Sequence, residues 1–295
     1  MPKKKLPEEN NTDCRTDSET AETFLDWAVA LLESIESDPS KKDWCRQYSV
    51  YSSDALHHPL SMEIDLLLQK SFQSGILISN YRDAADLCGL DDSQLEHPAA
   101  DELSYLAVLA CITWHFRRDH FNEGALIRES IASGALLPLF RRLKLLCKTS
   151  YPATTLATLL HSKCEMIPDQ PGIYQVLVPK ELMISFSDKT TNSAAPIYPA
   201  EKLSEKYARC IDKSIVYIGK ANGRNGLRQR IRQYMNYGCN IASNHKGGRA
   251  IWQIENYPLL LLAYEPCEDC EQQEHQLLAD YKQQNGTYPL ANWRG

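Results

Sequence analysis

The chain has 295 residues, of which 43% are apolar and 24% are charged, and its formal net charge is −6. This length and apolar content are enough for two buried cores, which argues against a wholly disordered protein. No apolar run reaches the ~18 residues that a transmembrane helix needs, and none follows the basic amino terminus, which argues against a membrane protein and against export.

The ten cysteines lie at irregular intervals along the chain. In a protein of this size, such usage suits a reducing compartment better than a disulfide framework. We therefore expect a cytoplasmic protein that does not associate with a membrane.

The first half of the sequence has the pattern of a helical protein. Residues 1–20 are polar and lack hydrophobic periodicity, which predicts a disordered tail. Over residues 21–150, apolar side chains recur at the three- and four-residue spacing of amphipathic helices. Within 124–146, Gly134 ends one predicted helix and begins the next. We predict an all-α domain over residues 21–150.

The pattern changes to a mixture of strands and helices in residues 151–295. Short runs rich in β-branched and aromatic residues alternate with amphipathic segments, which predicts an α+β domain whose strands pair antiparallel. A polar stretch at about 179–213 is predicted to be an insertion. The predicted strands are 172–178, 214–219, 250–254 and 258–264, and the predicted helices are 226–237 and 271–284.

Positive charge is concentrated in the second half. The segment from Lys213 to Arg249 contains eight lysines and arginines and no acidic residue. Such a local field favours binding of a polyanion even when the net charge of the chain is negative. A solvated basic face is the alternative interpretation.

Two tripeptides in the second half carry a family resemblance. Gly-Ile-Tyr at 172–174 and Tyr-Ile-Gly at 217–219 resemble the strand motifs of the GIY-YIG nucleases, and the segments "LRQRIRQY" and "EQQEHQLLADY" follow in the family's order. The resemblance covers residues 165–295 and departs from the family in the long separation of the two motifs. It implies a three-stranded antiparallel sheet flanked by helices, and cleavage of DNA with Mg²⁺ or Mn²⁺.

Two charged residues lie on apolar stripes of predicted helices. Arg230 lies three residues after Leu227 and four before Tyr234, so it is expected to face inward and to need an anion. That anion is either a phosphate or the carboxylate of Glu274. Glu274 itself precedes Leu277 by three residues, and either a bound magnesium ion or the helix dipole would account for a carboxylate there.

The resemblance also implies the catalytic groups. These are Tyr174, Tyr217, Arg230 and Glu274, with Glu274 as the metal ligand; Glu271 is a competitor that the family's spacing disfavours. One of the tyrosines would take a proton from the attacking water, and the choice between them stays open. Because a phenol has a pKa near ~10, the arginine and the metal-bound water must lower the pKa of that tyrosine.

Further residues are predicted to contact the substrate. Gly219 alternates with Tyr217 along a strand, so its missing side chain predicts an open space in which a phosphate fits. The resemblance places Tyr234 and Asn292 near the site, and Arg228 lies off the apolar stripe of its helix. The predicted substrate contacts are Gly219, Lys220, Arg228, Arg232, Tyr234, His245, Arg249 and Asn292.

The sequence thus predicts a metal-dependent DNA endonuclease. Such an enzyme would act in restriction, in repair, or in conflicts that involve phages or mobile elements. The alternative is a non-catalytic nucleic-acid-binding module that acts through partners of the helical domain. The identity of those partners, the DNA sequence or structure recognised, and the formation of a homodimer stay open.

Overall fold

The computed structural model describes residues 21–47, 58–118, 125–147, 153–192, 195–223, 226–241, 245 and 247–293. The tail predicted at residues 1–20 lies outside these ranges. No helix within them combines the length and the apolar character needed to cross a bilayer.

The described part of the amino-terminal half is helical, as predicted. Gly134 has a φ of +82°, a conformation that favours glycine, and it separates two helices at the predicted position. The helices are α1 (Ala21–Ser37), α2 (Pro39–Gln47), α3 (Pro59–Gln73), α4 (Tyr81–Leu87), α5 (Asp92–Glu96), α6 (Tyr105–Arg117), α7 (Ala125–Ala132) and α8 (Leu136–Cys147).

These helices enclose a first hydrophobic core, which continues onto the sheet. Ala153, Leu261 and Ala263 belong to the same buried cluster as the apolar faces of α1, α6 and α8. The core therefore crosses residue 150, where the sequence pattern changes.

The second half contains one antiparallel sheet of four strands, where three were predicted. The additional strand is the first, which has only three residues and is too short to show an alternating pattern in the sequence. The strands are β1 (Ala153–Thr155), β2 (Gly172–Leu177), β3 (Ile215–Ala221) and β4 (Leu261–Pro266), in the spatial order β1-β4-β2-β3.

Helices surround this sheet and one occupies the predicted insertion. The segment predicted as a strand at 250–254 is instead a 3₁₀ helix, Arg249–Gln253, because Gly248 turns the chain with a φ of +64° and accepts a hydrogen bond from the backbone of Ile251. The helices are α9 (Leu156–His161), α10 (Ala200–Arg209) in the insertion, α11 (Gly226–Gly238) and α12 (Cys270–Asn285), with a second short 3₁₀ helix at Tyr257–Leu259.

The two faces of the sheet are covered by different helices. Tyr174 and Tyr217 lie in the core on the side of α11. Ile218 lies on the opposite side, where it packs against Leu278 and Tyr281 of α12. The two charged residues singled out in the sequence are carried by these helices and so approach the sheet from opposite faces.

Candidate active site

Three tyrosine rings form the centre of the candidate site. The ring centroids of Tyr174 and Tyr217 are 5.8 Å apart, and the ring of Tyr234 lies 5.7 Å from Tyr217 and 6.3 Å from Tyr174. β2 and β3 bring the first two together because Tyr174 pairs with Gly219, two residues from Tyr217. The predicted proximity of the two motif tyrosines is confirmed.

The space predicted beside Tyr217 is not open. A Cβ atom on Gly219 would lie 2.7 Å from Cζ of Tyr174 and 3.0 Å from Cε1 of Tyr217. The ring of Tyr174 fills this space, so Gly219 serves to admit that ring and does not leave room for a phosphate.

Both motif tyrosines are buried, with exposed fractions of 1% for Tyr174 and 6% for Tyr217. Burial raises the pKa of Tyr174 and raises the pKa of Tyr217 well above its ordinary value, and the nearby charge of Arg230 only partly opposes this. The arginine alone therefore does not produce the lowered pKa that a tyrosine base needs, and both phenols keep their protons at neutral pH.

Arg230 is half-buried on α11, on the same stripe as the fully buried Leu227 and Tyr234. It forms no ion pair with any acid in the described ranges, and the pair with Glu274 that was the alternative prediction is not observed. Its charge acts instead on Tyr174, Tyr217 and His245, since it opposes protonation of His245 and favours ionisation of the phenols. The guanidinium also lies within hydrogen-bonding reach of the Tyr174 hydroxyl, and its remaining donors are available to an anion.

Glu274 lies on α12, on the other face of the sheet from Arg230. Its Oε2 lies 3.0 Å from Nζ of Lys220, and its side chain is only 16% exposed. The charge of Glu274 raises the pKa of Tyr174, which the charge of Arg230 lowers. The two residues are not in contact, but both act electrostatically on the Tyr174 hydroxyl.

The carboxylates near Lys220 fit a divalent cation of the magnesium type. Oε1 of Glu271 and Oε2 of Glu274 each lie 3.0 Å from the same ammonium nitrogen, so both already face one positive charge. Magnesium commonly takes one or two protein carboxylates and completes its octahedron with water and phosphate oxygens. Within the described residues, no group of three or more His, Cys, Asp or Glu side chains is placed to hold a metal, so a site made entirely of protein ligands does not fit.

Two predicted DNA contacts are engaged within the protein. Nη1 of Arg228 lies 2.7 Å from Oδ2 of Asp169, and Nε of Arg232 donates to the carbonyl of Lys163 at 2.9 Å. Both arginines thus hold α11 against the loop that precedes β2. Their predicted contact with a nucleic-acid backbone stays a prediction.

Tyr234 and Asn292 make hydrogen bonds within the protein, and their predicted contact with substrate stays a prediction. Tyr234 is fully buried, and its hydroxyl donates to the carbonyl of Gly248 at 3.1 Å. The side-chain amide of Asn292 donates to the carbonyl of Ile218 at 2.8 Å and accepts from its N–H at 2.9 Å. Asn292 therefore satisfies the outer edge of β3, and the hydroxyl of Tyr234 donates its one proton to Gly248.

His245 is fully buried beside the ring of Tyr234, at a centroid distance of 4.9 Å. Neither ring nitrogen has a hydrogen-bond partner, while the backbone carbonyl of His245 accepts from Nε of Arg249 at 3.1 Å. Burial, followed by the charges of Arg230 and Arg249, lowers the pKa of His245 to about 3. The imidazole is therefore neutral at neutral pH.

Two polar side chains beside this cluster were not singled out in the sequence. The hydroxyl of Tyr237 and Nε1 of Trp252 are both buried without a hydrogen-bond partner. Tyr237 continues the stripe of α11 three residues beyond Tyr234, a spacing that was available as a signal. Trp252 packs directly on Gly238, a contact that no local pattern indicates.

Comparisons of the chain with family models, with curated proteins and with solved structures give no match. The inference of function therefore depends on the residues and the geometry described above.

Proposed function

We propose that this protein is a metal-dependent endonuclease that hydrolyses phosphodiester bonds in DNA. The observation that best supports the proposal concerns Arg230. Its guanidinium is half-buried, has no ion-pair partner in the described ranges and lies beside two buried phenols. The carboxylate of Glu274 acts on the same Tyr174 hydroxyl from the other side. A phosphate with a cation bound beside it matches this arrangement of charge.

Each charged residue has a role in this reaction. Arg230 would hold the phosphate through two parallel hydrogen bonds and stabilise the charge that develops on its oxygens. Glu274, with Glu271 close by, would hold Mg²⁺ or Mn²⁺. When bound, that ion supplies Lewis-acid stabilisation and an activated water. Lys220, released from the carboxylates, would turn to a phosphate oxygen.

The unpaired positive charge of the segment 213–249 covers a smaller region of the structure than the sequence suggests. Lys220 pairs with Glu271 and Glu274, and Arg228 pairs with Asp169, all acids from outside the segment. Within the described residues, the guanidiniums left without an ion pair include those of Arg230 and Arg249 at the tyrosine cluster. This distribution supports an anion site at the cluster more than a broad basic surface.

The helical region would contribute target choice, partner binding or regulation. Its place beside β1 and β4, through the shared core, would couple it directly to the sheet that carries the site.

The test is incubation of the purified protein with supercoiled plasmid and with oligonucleotide duplexes in Mg²⁺, Mn²⁺ or EDTA. The wild type should cleave only with metal, and Arg230→Ala and Glu274→Ala should abolish cleavage. Arg141→Ala, which removes an exposed pair with Glu33 in the helical region, is the matched control. Cleavage that survives both site substitutions would remove the mechanism.

A second candidate is DNA binding without cleavage, favoured by the burial of both phenols and by the ammonium of Lys220 at the carboxylates. Tight, salt-sensitive binding of DNA with no cleavage under any metal would select this function.

A further inference from the structure

Buried side chains that lack every hydrogen bond are concentrated at the tyrosine cluster. Leaving a buried polar group without a partner costs about 1–3 kcal/mol, so a group of such side chains indicates a polar ligand or bound water. Elsewhere in the described ranges, only the hydroxyls of Ser71 and Thr154 share this state. The side chains concerned are Tyr237, His245 and Trp252, and beside them the hydroxyl of Tyr174 makes only contacts of poor geometry with Tyr217 and Arg230.

His245 is the one member of this group whose side chain carries a basic nitrogen. Its Nε2 and the hydroxyl of Tyr217 both lie near Gly247. A Cβ atom on that glycine would collide with the hydroxyl and would lie 3.7 Å from Nε2. Both atoms lie within 4 Å of one point beside Gly247, so the imidazole and the phenol are neighbours in the fold.

The surroundings of His245 are positively charged. Burial and the charges of Arg230 and Arg249 all disfavour the imidazolium, and no described carboxylate opposes them. The titratable and charged groups that face or border it are Arg230, Tyr234 and Tyr237 from α11, Tyr217 from β3, and Arg249 from its own segment.

We propose that His245 accepts, through Tyr217, the proton that leaves the attacking water once a DNA phosphate occupies Arg230 and Arg249. This inference rests on the proposed endonuclease function and names the residue that stores the proton. Tyr217 then relays a proton and need not exist as a phenolate.

Binding of the phosphate would itself make His245 a stronger base. Its negative charge offsets the two guanidiniums that oppose protonation, so the pKa of His245 rises towards the range in which general bases work. Without bound DNA, the imidazole of His245 is too weak a base to activate water.

The step balances as a hydrolysis. The water gives one proton to the oxygen of Tyr217 as the phenolic proton passes to His245, and the water oxygen forms a bond to phosphorus. The bond from phosphorus to the leaving ester oxygen breaks, and that oxygen takes a proton from solvent. His245 later returns its proton to solvent.

The first test follows the imidazoles of the full-length protein by NMR with ¹⁵N-labelled histidine, with and without a saturating oligonucleotide duplex in EDTA. The signal that disappears in His245→Gln identifies the residue. We expect DNA to raise the pKa of His245 by at least about one unit. His115, the buried histidine of the helical region, should keep its titration and is the internal control.

The second test is the pH dependence of single-turnover cleavage. His245→Gln should lower the rate by about 10²–10⁴-fold, remove the acid limb of the profile and leave DNA affinity within about twofold. His115→Gln should keep the wild-type profile.

The outcomes separate the two proposals. DNA that binds and is cleaved, without a change in the His245 titration or with an unchanged acid limb in His245→Gln, overturns the role of His245 alone. Absence of both DNA binding and cleavage in the wild type overturns this inference together with the endonuclease. Because the titration uses the wild type, it decides the matter even where the substituted protein folds poorly.

Discussion

Two tyrosine hydroxyls differ in their hydrogen bonds, one in the helical region, residues 21–147, and one in the sheet region, residues 153–293. The hydroxyl of Tyr105 donates to the carbonyl of Ala153 and accepts from its N–H, both at 2.9 Å. The hydroxyl of Tyr174 has no hydrogen-bond partner of acceptable geometry. The first group joins α6 to the edge strand, whereas the second contributes nothing comparable to the fold.

The arginines of the two regions differ in the same way. Arg118 pairs with Glu96 at 2.9 Å and Arg141 pairs with Glu33 at 2.8 Å, whereas no described acid pairs with Arg230. Polar groups with partners stabilise the structure. Polar groups held in place without partners indicate where a ligand with the complementary charge would bind.

The largest effect is expected for removal of the unpaired arginine. Arg230→Ala should lower the single-turnover rate of DNA cleavage by about 10²–10³-fold, since it removes a donor placed at the developing charge. Arg141→Ala should leave the rate unchanged, because an exposed ion pair contributes at most about 1 kcal/mol to stability. Equal losses in both variants would show that the pairing of an arginine does not predict its function.

The two carboxylates near Lys220 should differ in metal binding. The side chain of Glu274 is 16% exposed and that of Glu271 is 63% exposed, so the former is better ordered for coordination. We expect Glu274→Gln to weaken Mn²⁺ binding, followed by electron paramagnetic resonance, by at least about tenfold, and Glu271→Gln by less. The reverse order would transfer the ligand assignment to Glu271.

The two tyrosines should respond oppositely to loss of the hydroxyl. Tyr105→Phe should lower the free energy of unfolding by about 1–3 kcal/mol, because it leaves the backbone groups of Ala153 without partners. Tyr174→Phe should leave that free energy unchanged or raise it, since an unpaired hydroxyl is removed. Urea denaturation measures both, and a large loss of stability in Tyr174→Phe would reveal a partner for its hydroxyl.

The last expected effect concerns acid stability. Burial, followed by the charge of Arg118, lowers the pKa of His115 to about 4, below its usual value of 6.5. Between these values the unfolded state binds more protons than the folded state, so stability falls as the pH decreases from 6.5 towards 4. We expect His115→Gln to remove a loss on the order of 2 kcal/mol at pH 4. An identical pH dependence in wild type and His115→Gln would contradict this.

Sequence patterns predicted the helices because these depend on local periodicity. The helical stripe containing Leu227 and Tyr234 and the break at Gly134 follow from residue spacing, whereas the proximity of Tyr174 and Tyr217 was implied only by the family resemblance. Such spacing fixes which side chains share a face.

Contacts between distant segments were not predictable in this way. β1 is held by Tyr105, 48 residues earlier, and Asn292 bonds the backbone of Ile218, 74 residues earlier. Lys220 was predicted to contact phosphate, but its partners are carboxylates of α12. Each of these contacts depends on the tertiary fold, which local sequence patterns do not determine.

The most direct measurement is an experimental structure of the protein with an uncleaved DNA duplex bound in Ca²⁺. We expect a phosphate oxygen about 3 Å from the guanidinium of Arg230, on the side of Tyr174 and Tyr217. DNA bound at another surface, with no phosphate at Arg230, would contradict it.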